Sequence, residues 1–283
     1  MKGRPGKNKI ILALSLLAIG GAGFFGRGQF TPTEIAQREQ WEEFLKTADI
    51  VKSELIGEGV TKPWKLLLKK GAIEKKAAWK NPEEKQGDFV DSWKYEIAAY
   101  RLDKLIGLNM VPITIEREFK GKKGALSLWA DSKYSLLDIM ENKIRIPDWA
   151  LKQTDDTKYI TRFWDSLIAN DDRTQENVRY TEDWRTILID HSRAFRSSKE
   201  NKEKLMFGAN GIKRKDDGSP FLIQRVPRAL FEKIKALDLA GLKQAAGPYL
   251  TAQEVEAIIA REPLLIKEIG EMIKKNGEKN VLY

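Results

Sequence analysis

No cysteine occurs among the 283 residues, and histidine occurs once. Without cysteine there is no disulfide framework, no lipidated thiol and no thiolate metal site, so the redox compartment is left open. The lone His191 has no second imidazole with which to hold zinc and no adjacent nucleophile with which to form a hydrolase triad. No unit of roughly 20–50 residues recurs along the chain, which sets aside solenoids and propellers. Charge of one sign is not gathered into a run either. Lysine and arginine exceed aspartate and glutamate by nine, but Lys2, Arg4, Lys7 and Lys9 supply four of those charges before the first apolar stretch. The remaining excess suits an acidic ligand such as a nucleotide, anionic lipid or nucleic acid, but it is scattered rather than gathered into a run, so no nucleic-acid partner is expected.

What is present is enough apolar sequence, 42%, for one large domain or two lobes with a substantial core. Residues 10–25 carry no charge and follow the four cations. A basic flank, a short apolar stretch and the small residues Ala18, Gly20 and Ala22 form the pattern of an export signal, without a clean A-x-A site. Sixteen helical residues would reach about 24 Å, short of a hydrocarbon core of ~30 Å. Cleaved signal and short membrane anchor both remain open, so residues 1–30 are set apart from the folded part.

Thr31-Pro32-Thr33-Glu34 predicts a capped helix running to Ala48. Strands follow at Trp64–Lys69 and Ala72–Lys80, with Asn81–Asp88 a polar loop and Ser92–Leu108 a helix ended by Gly107 or Asn109. Met110–Phe119 and Ala125–Trp129 predict a hairpin around a basic glycine turn. From Leu136 the balance turns helical, at Tyr159–Ala169, Phe231–Leu242, Ala252–Arg261 and Leu264–Lys275. Val178–Tyr180 and Thr186–Asp190 form one further hairpin, and Asn201–Ser219 is expected to be a mobile surface loop. The expected fold class is α+β, with a β-rich first lobe over 31–130 and a mainly helical second lobe over 131–283.

Chemistry concentrates in Asp172-Arg173-Thr174-Gln175-Glu176-Asn177 and in Asp190 at the end of Ile187-Leu188-Ile189-Asp190. Phosphoryl transfer needs hard oxygen donors for a divalent ion and a carboxylate beside the incoming hydroxyl. A D-x-x-x-x-N loop supplies both, with Asp172 as base and Asn177 on the metal, while an aspartate after the hairpin, Asp190, holds the metal bridging the phosphates. A loop of this kind standing alone is ordinarily a solvated turn. Its weight comes from companions in chain order. Lys80 ends a strand in Ala77-Ala78-Trp79-Lys80, although Lys75, Lys76 and Lys94 lie near, and Glu96 stands in the following helix 16 residues on.

These residues resemble the protein-kinase-like superfamily, nearest its atypical branch of phosphatidylinositol kinases, HipA-type kinases and secretory-pathway protein kinases. Asp172-Arg173 with Asn177 is similar to the D-R-x-x-x-N catalytic loop of the phosphatidylinositol kinases, and Ile189-Asp190-His191-Ser192 stands where they carry I-D-F-G. The likeness spans about residues 55–265 and is strongest over 165–195. It implies a two-lobed, ATP-dependent and Mg²⁺- or Mn²⁺-dependent phosphotransferase. Lys80 would meet the phosphates and Glu96 would hold Lys80. Gly57 and Gly59 would form a short glycine loop, and Trp129 and Asp131 the adenine-binding hinge. Arg173 is expected either to pair with a carboxylate or to be a plain surface cation, and His191 to replace the usual phenylalanine. Two positions depart from the pattern: Ser192 replaces a glycine, and Thr174 replaces a His or Lys that would bring a cation to the transferring phosphate. The acceptor would be a hydroxyl of a protein, a lipid or a small molecule. The alternatives are a non-catalytic pseudokinase, or an envelope-associated protein in which Asp172, Asn177 and Asp190 do not converge.

Overall fold

The computed structural model describes residues 30–57, 63–86 and 89–283, with the side chains of 84–86 and 89 left aside. The apolar stretch 10–25 and Gly59 therefore lie outside the described residues. Among those described, no helix is long and apolar enough to cross a membrane.

The chain begins with two short helices, α1 (Pro32–Ala36) and α2 (Arg38–Thr47). Thr31 and Glu34 form the expected reciprocal cap, but the helix breaks at Gln37 instead of running unbroken to Ala48. Strands β1 (Asp49–Leu55), β2 (Trp64–Lys70) and β3 (Ile73–Lys80) follow. Next come the ribbon β4 (Glu83–Gln86) and β5 (Phe89–Ser92), helix α3 (Trp93–Ile106), and the hairpin β6 (Thr114–Phe119) and β7 (Lys122–Leu128). The ribbon corrects the expectation of a structureless polar loop over Asn81–Asp88: backbone pairing of Glu83 with Ser92 through Gln86 with Phe89 organises it.

Five antiparallel strands make one sheet in the order β1-β2-β3-β7-β6. Alternation sends Leu66, Leu68, Ala77 and Trp79 to its buried face. The β6–β7 turn is Lys120-Gly121, both with positive φ (52° and 71°), the conformation that two-residue hairpins favour. Helix α3 starts on the Ser92 hydroxyl, which accepts from Lys94 N, and stops at Gly107, whose φ of 70° suits a residue without Cβ.

Gly124 decides how closely β7 approaches the end of β3. A Cβ there would lie 2.5 Å from the Lys80 carbonyl oxygen and 2.7 Å from the Trp79 ring. Overpacking of this kind costs about 1–3 kcal/mol. Gly124→Ala should therefore lower the denaturation midpoint and displace Lys80; a variant with unchanged stability would contradict this packing.

The second half opens with β8 (Tyr134–Ser135), α4 (Leu136–Glu141) and the long α5 (Asp148–Leu167). Helix α5 begins about three turns before the predicted Tyr159, and along it Thr154, Thr157 and Thr161 satisfy their hydroxyls on backbone carbonyls. Strands β9 (Val178–Tyr180) and β10 (Thr186–Leu188) pair with β8 in a small sheet ordered β10-β9-β8. The remaining helices are α6 (Lys199–Glu203), α7 (Arg228–Lys235), α8 (Leu239–Ala245), α9 (Ala252–Asn276) and α10 (Glu278–Val281). The single helix predicted over Phe231–Leu242 is two, α7 and α8, and the two predicted around Pro263 are one, since α9 carries Pro263 within it. The segment expected to be mobile is tied down: Leu205 and Met206 are buried, and their carbonyls accept from Ile212 N and Lys213 N.

Candidate functional site

Lys80, at the last residue of β3, places its ammonium 3.1 Å from Glu96 Oε1 and 3.0 Å from Asp190 Oδ1. One strand, helix α3 and the turn after β10 thus meet at one cation. Burial opposes charge on Lys80, but Asp190 and Glu96 outweigh it and raise its pKa, so the ammonium stays charged. Burial likewise acts against the Glu96 carboxylate; Lys80 and a hydrogen bond from His191 override it and hold the group below the usual carboxylate range. His191 N donates to Glu96 Oε2 at 3.1 Å, so Glu96 fixes both the lysine and the backbone next to Asp190.

Asp190 has a φ of 59°, a left-handed conformation that aspartate tolerates better than most residues. The left-handed position of this turn is therefore the aspartate itself. Ser192 adopts no positive φ, which is why a serine fits where relatives of the resembled family carry glycine. Its hydroxyl lies 3.2 Å from Asp91 Oδ1, and its carbonyl accepts from Ser92 N.

Asn177 and Asp190 are brought side by side by the hairpin. The β9–β10 register pairs Val178 with Leu188, and Ile189 N continues it by donating to the Asn177 carbonyl at 3.1 Å. Asp172 stands on the loop leading into this hairpin, with the Asn177 amide nitrogen 3.4 Å from its carbonyl. Its carboxyl is half-buried and its pKa is raised, first by burial and then by Asp190, Asp171 and Asp91, with Arg193 acting in the opposite direction. The Asn177 amide at the Asp172 carbonyl, the Ile189 to Asn177 backbone bond and the electrostatic influence of Asp190 on Asp172 put the three residues in one neighbourhood.

Arg173 explains how the loop is held. Its Nε and Nη2 grip Asp165 of α5, at 3.1 Å to Oδ2 and 2.9 Å to Oδ1, while Nη1 donates to the carbonyls of Ile189 (2.6 Å) and Asn177 (3.3 Å). The expectation of a carboxylate partner, rather than a surface cation, is met by a fully buried aspartate. His191 is also fully buried, edge-on to Trp164 with ring centroids 6.1 Å apart. Its Nε2 faces two donors, Trp164 Nε1 at 3.3 Å and Arg173 Nη2 at 2.9 Å, which assigns the imidazole proton to Nδ1. Burial and Arg173 depress its pKa, so it is a neutral packing group, as the place of a phenylalanine requires.

A cavity of about 410 Å³ opens beside Lys80, roofed by Ile56 and Pro63 and floored by Leu188 and Ile189, with Ala78 and Trp129 in its wall. Gly57, with a φ of 58°, ends the described part of the β1–β2 connection above it. Asp131 is the predicted hinge residue that does not line this cavity. It faces an adjoining one of about 350 Å³, because the chain turns tightly at Asp131, where Ser132 N donates to the Ala130 carbonyl at 2.8 Å. Arg179 also lines the first cavity, its Nε donating to Ser132 Oγ at 3.0 Å. Sequence reasoning missed Arg179, Asp165, Asp91 and Arg193, none of which belongs to a recognisable local motif.

No protein-family model and no curated protein matches the chain. Solved structures do. The structure of hydra Fam20 with sugar superimposes at a TM-score of 0.63 with 14% identity, covering 92% of this chain and 95% of that one. The Golgi casein kinase with Mn/ADP bound gives 0.57 and 14% over 90% of this chain and 80% of its own. The Helicobacter pylori proinflammatory kinase CtkA gives 0.52 and 11% over 83% and 97%. The fold is that of the kinase-like proteins, a β-rich N-terminal part with an antiparallel sheet and a helical C-terminal part.

Proposed function

We propose that this protein is an ATP-using, divalent-metal-dependent phosphotransferase acting on a hydroxyl, with a protein side chain as the first-choice acceptor and a lipid or small-molecule hydroxyl next. The observation that carries this reading is Lys80 held between Glu96 and Asp190 at the mouth of an apolar cavity, with Asp172 on the adjoining loop. The donor types suit a hard cation: Asp190 would supply a carboxylate and Asn177 an amide oxygen from neighbouring backbone, with phosphate and water oxygens completing the set. Such an ion supplies charge neutralisation on the phosphates. Mg²⁺ and Mn²⁺ fit this donor set equally; the neighbouring Golgi enzyme is described with manganese and ADP.

Lys80 orients the nucleotide phosphates, and Glu96 keeps its ammonium from folding away. Asp172 takes the acceptor proton as the acceptor oxygen bonds to the γ-phosphorus. The bond from that phosphorus to the bridging oxygen breaks, and ADP leaves with the electron pair. A raised carboxyl pKa makes Asp172 a better proton acceptor than an exposed aspartate. Removal of a general base costs about 10²–10⁴-fold. Asp172→Ala should lose that much transfer to a protein or hydroxyl acceptor while retaining nucleotide affinity within a few-fold, measured by radiolabel transfer and equilibrium binding. Transfer undiminished by this change would refute the assignment, and a chain that binds nucleotide without transferring phosphate to any acceptor would be a pseudokinase. Residues 10–25, if retained, would tether the domain to a membrane; cell fractionation with protease accessibility reads both the tether and its side.

A further inference from the structure

Thr174 leaves the loop of Asp172 without the cation that a phosphoryl group undergoing transfer calls for, and its side chain is exposed. A cation arrives from another direction. Arg193, three residues past Asp190, has its Nε 2.9 Å from Asp91 Oδ1 and its Nη2 3.2 Å from Asp91 Oδ2, a two-point grip on a carboxylate that is 2% exposed. The third nitrogen, Nη1, is turned to Asp172, 3.6 Å from Oδ2. The side chain keeps about a third of its surface open (31%), so the guanidinium beside Asp172 is not sealed in the protein interior.

The anchor itself is built for this aim. Asp91 precedes Ser92, the cap of α3, the helix that carries Glu96. Besides Arg193 it receives the Ser192 hydroxyl, and Ser92 N is bonded to the Ser192 carbonyl. The start of α3 and the segment after Asp190 are therefore stitched together at three points, and the guanidinium plane is fixed by two of its three nitrogens. A planar fork held in this way has few rotamers left, which is what electrostatic preorganisation requires.

The surroundings need such a charge. Asp172 lies within electrostatic reach of Asp190, Asp171 and Asp91. Asp171 is already engaged by Arg196 at 2.9 Å, and Lys80 by Glu96 and Asp190 on the nucleotide side. On the acceptor side a phosphoryl group bringing further negative charge would meet carboxylates, with Arg193 the described cation directed at Asp172.

We infer that Arg193 is a catalytic residue, which meets the transferring phosphoryl group in front of Asp172 in place of the cation absent at Thr174, and that Asp91 is the positioning residue that aims it. The inference rests on the phosphotransferase reading and deepens it. During transfer the bond changes are those given above; Arg193 exchanges no proton and stabilises the charge on the equatorial oxygens.

Single-turnover phosphoryl transfer with Mn²⁺ and ATP, measured on the full chain, tests it with the parent and three variants. Arg193→Ala should reduce the rate by about 10²–10³-fold, the usual cost of one preorganised electrostatic donor, with nucleotide affinity changed less than about threefold. Guanidinium at millimolar concentration should restore at least about tenfold of that loss in Arg193→Ala and none in Asp172→Ala. Asp91→Asn, which keeps the arginine but loosens its grip, should lose about tenfold, and thermal melting of both variants close to the parent would confirm that they are folded. Arg193→Ala within twofold of the parent, or a loss that guanidinium leaves untouched, overturns the role of Arg193. Asp91→Asn at the parent rate overturns the positioning role. A parent chain without transfer activity instead overturns the phosphotransferase reading, and the two failures are distinct.

Discussion

Asp190→Ala is expected to remove metal-dependent phosphoryl transfer by about 10²–10³-fold or more, because that one side chain serves two charges at once. Its Oδ1 lies 3.0 Å from Lys80 Nζ, and its position beside Asn177 makes it the carboxylate of the proposed metal pair. Truncation leaves Asn177 alone, a neutral ligand, to attract a divalent cation. It also leaves Lys80 paired only with Glu96, which pulls the ammonium toward α3 and away from the cavity. Two readouts separate the losses. Nucleotide affinity measured with and without Mn²⁺ should show a large metal-dependent increment in the parent and almost none in Asp190→Ala. Asp190→Asn, which keeps the shape and an oxygen donor but not the charge, should lie between them. A metal increment preserved in Asp190→Ala would place the ion elsewhere and remove the basis for assigning Asp190 to it.

Much of this arrangement is legible in the chain because the proposed phosphate chemistry restricts residue type at fixed places. Lys80, Glu96, Asp172, Asn177 and Asp190 stand in chain order on a strand, a helix, a loop and a hairpin, and the first and last of them meet at 3.0 Å. The sheet is legible for the same reason that its core is: Leu66, Leu68, Ala77 and Trp79 alternate, and alternation has a single physical reading. What escapes is decided by tertiary contact. Asp165 is one polar residue in a helix until Arg173 is seen to reach it across eight positions, and Asp91 is one acid in a polar stretch until Arg193 reaches it across 102. Pro263 reads as a break, yet α9 continues through it, with Leu265, Ile269 and Met272 buried beyond it. The packing of that last half overrides local propensity. Asp131 shows the opposite limit: it lies close along the chain to Trp129, but a tight turn between Ala130 and Ser132 points it to the adjoining cavity.

The link between the site and the body of the fold is Asp165, and its removal is expected to unfold as well as inactivate. Its side chain has no exposure and that of Arg173 has 7%. Truncating one partner of a buried ion pair leaves an uncompensated charge, at a cost of about 3–5 kcal/mol. Asp165→Ala strands the Arg173 guanidinium, and with it the hydrogen bonds that hold the Asn177 and Ile189 carbonyls and face His191 Nε2. Asn170, whose amide donates to Asp165 Oδ1 at 3.1 Å, loses its acceptor too. The denaturation midpoint should fall by the amount that several kcal/mol imply, and at temperatures where the variant is still folded its transfer rate should be lower than that of the parent. Asp165→Ala and Arg173→Ala combined should cost less than the sum of the two separate losses, since the second truncation removes a charge that the first had left unpaired. Strict additivity of the two losses, or a drop below about 1 kcal/mol for Asp165→Ala, would mean that the pair does not carry the loop, and that the loop is held by the β9–β10 backbone alone.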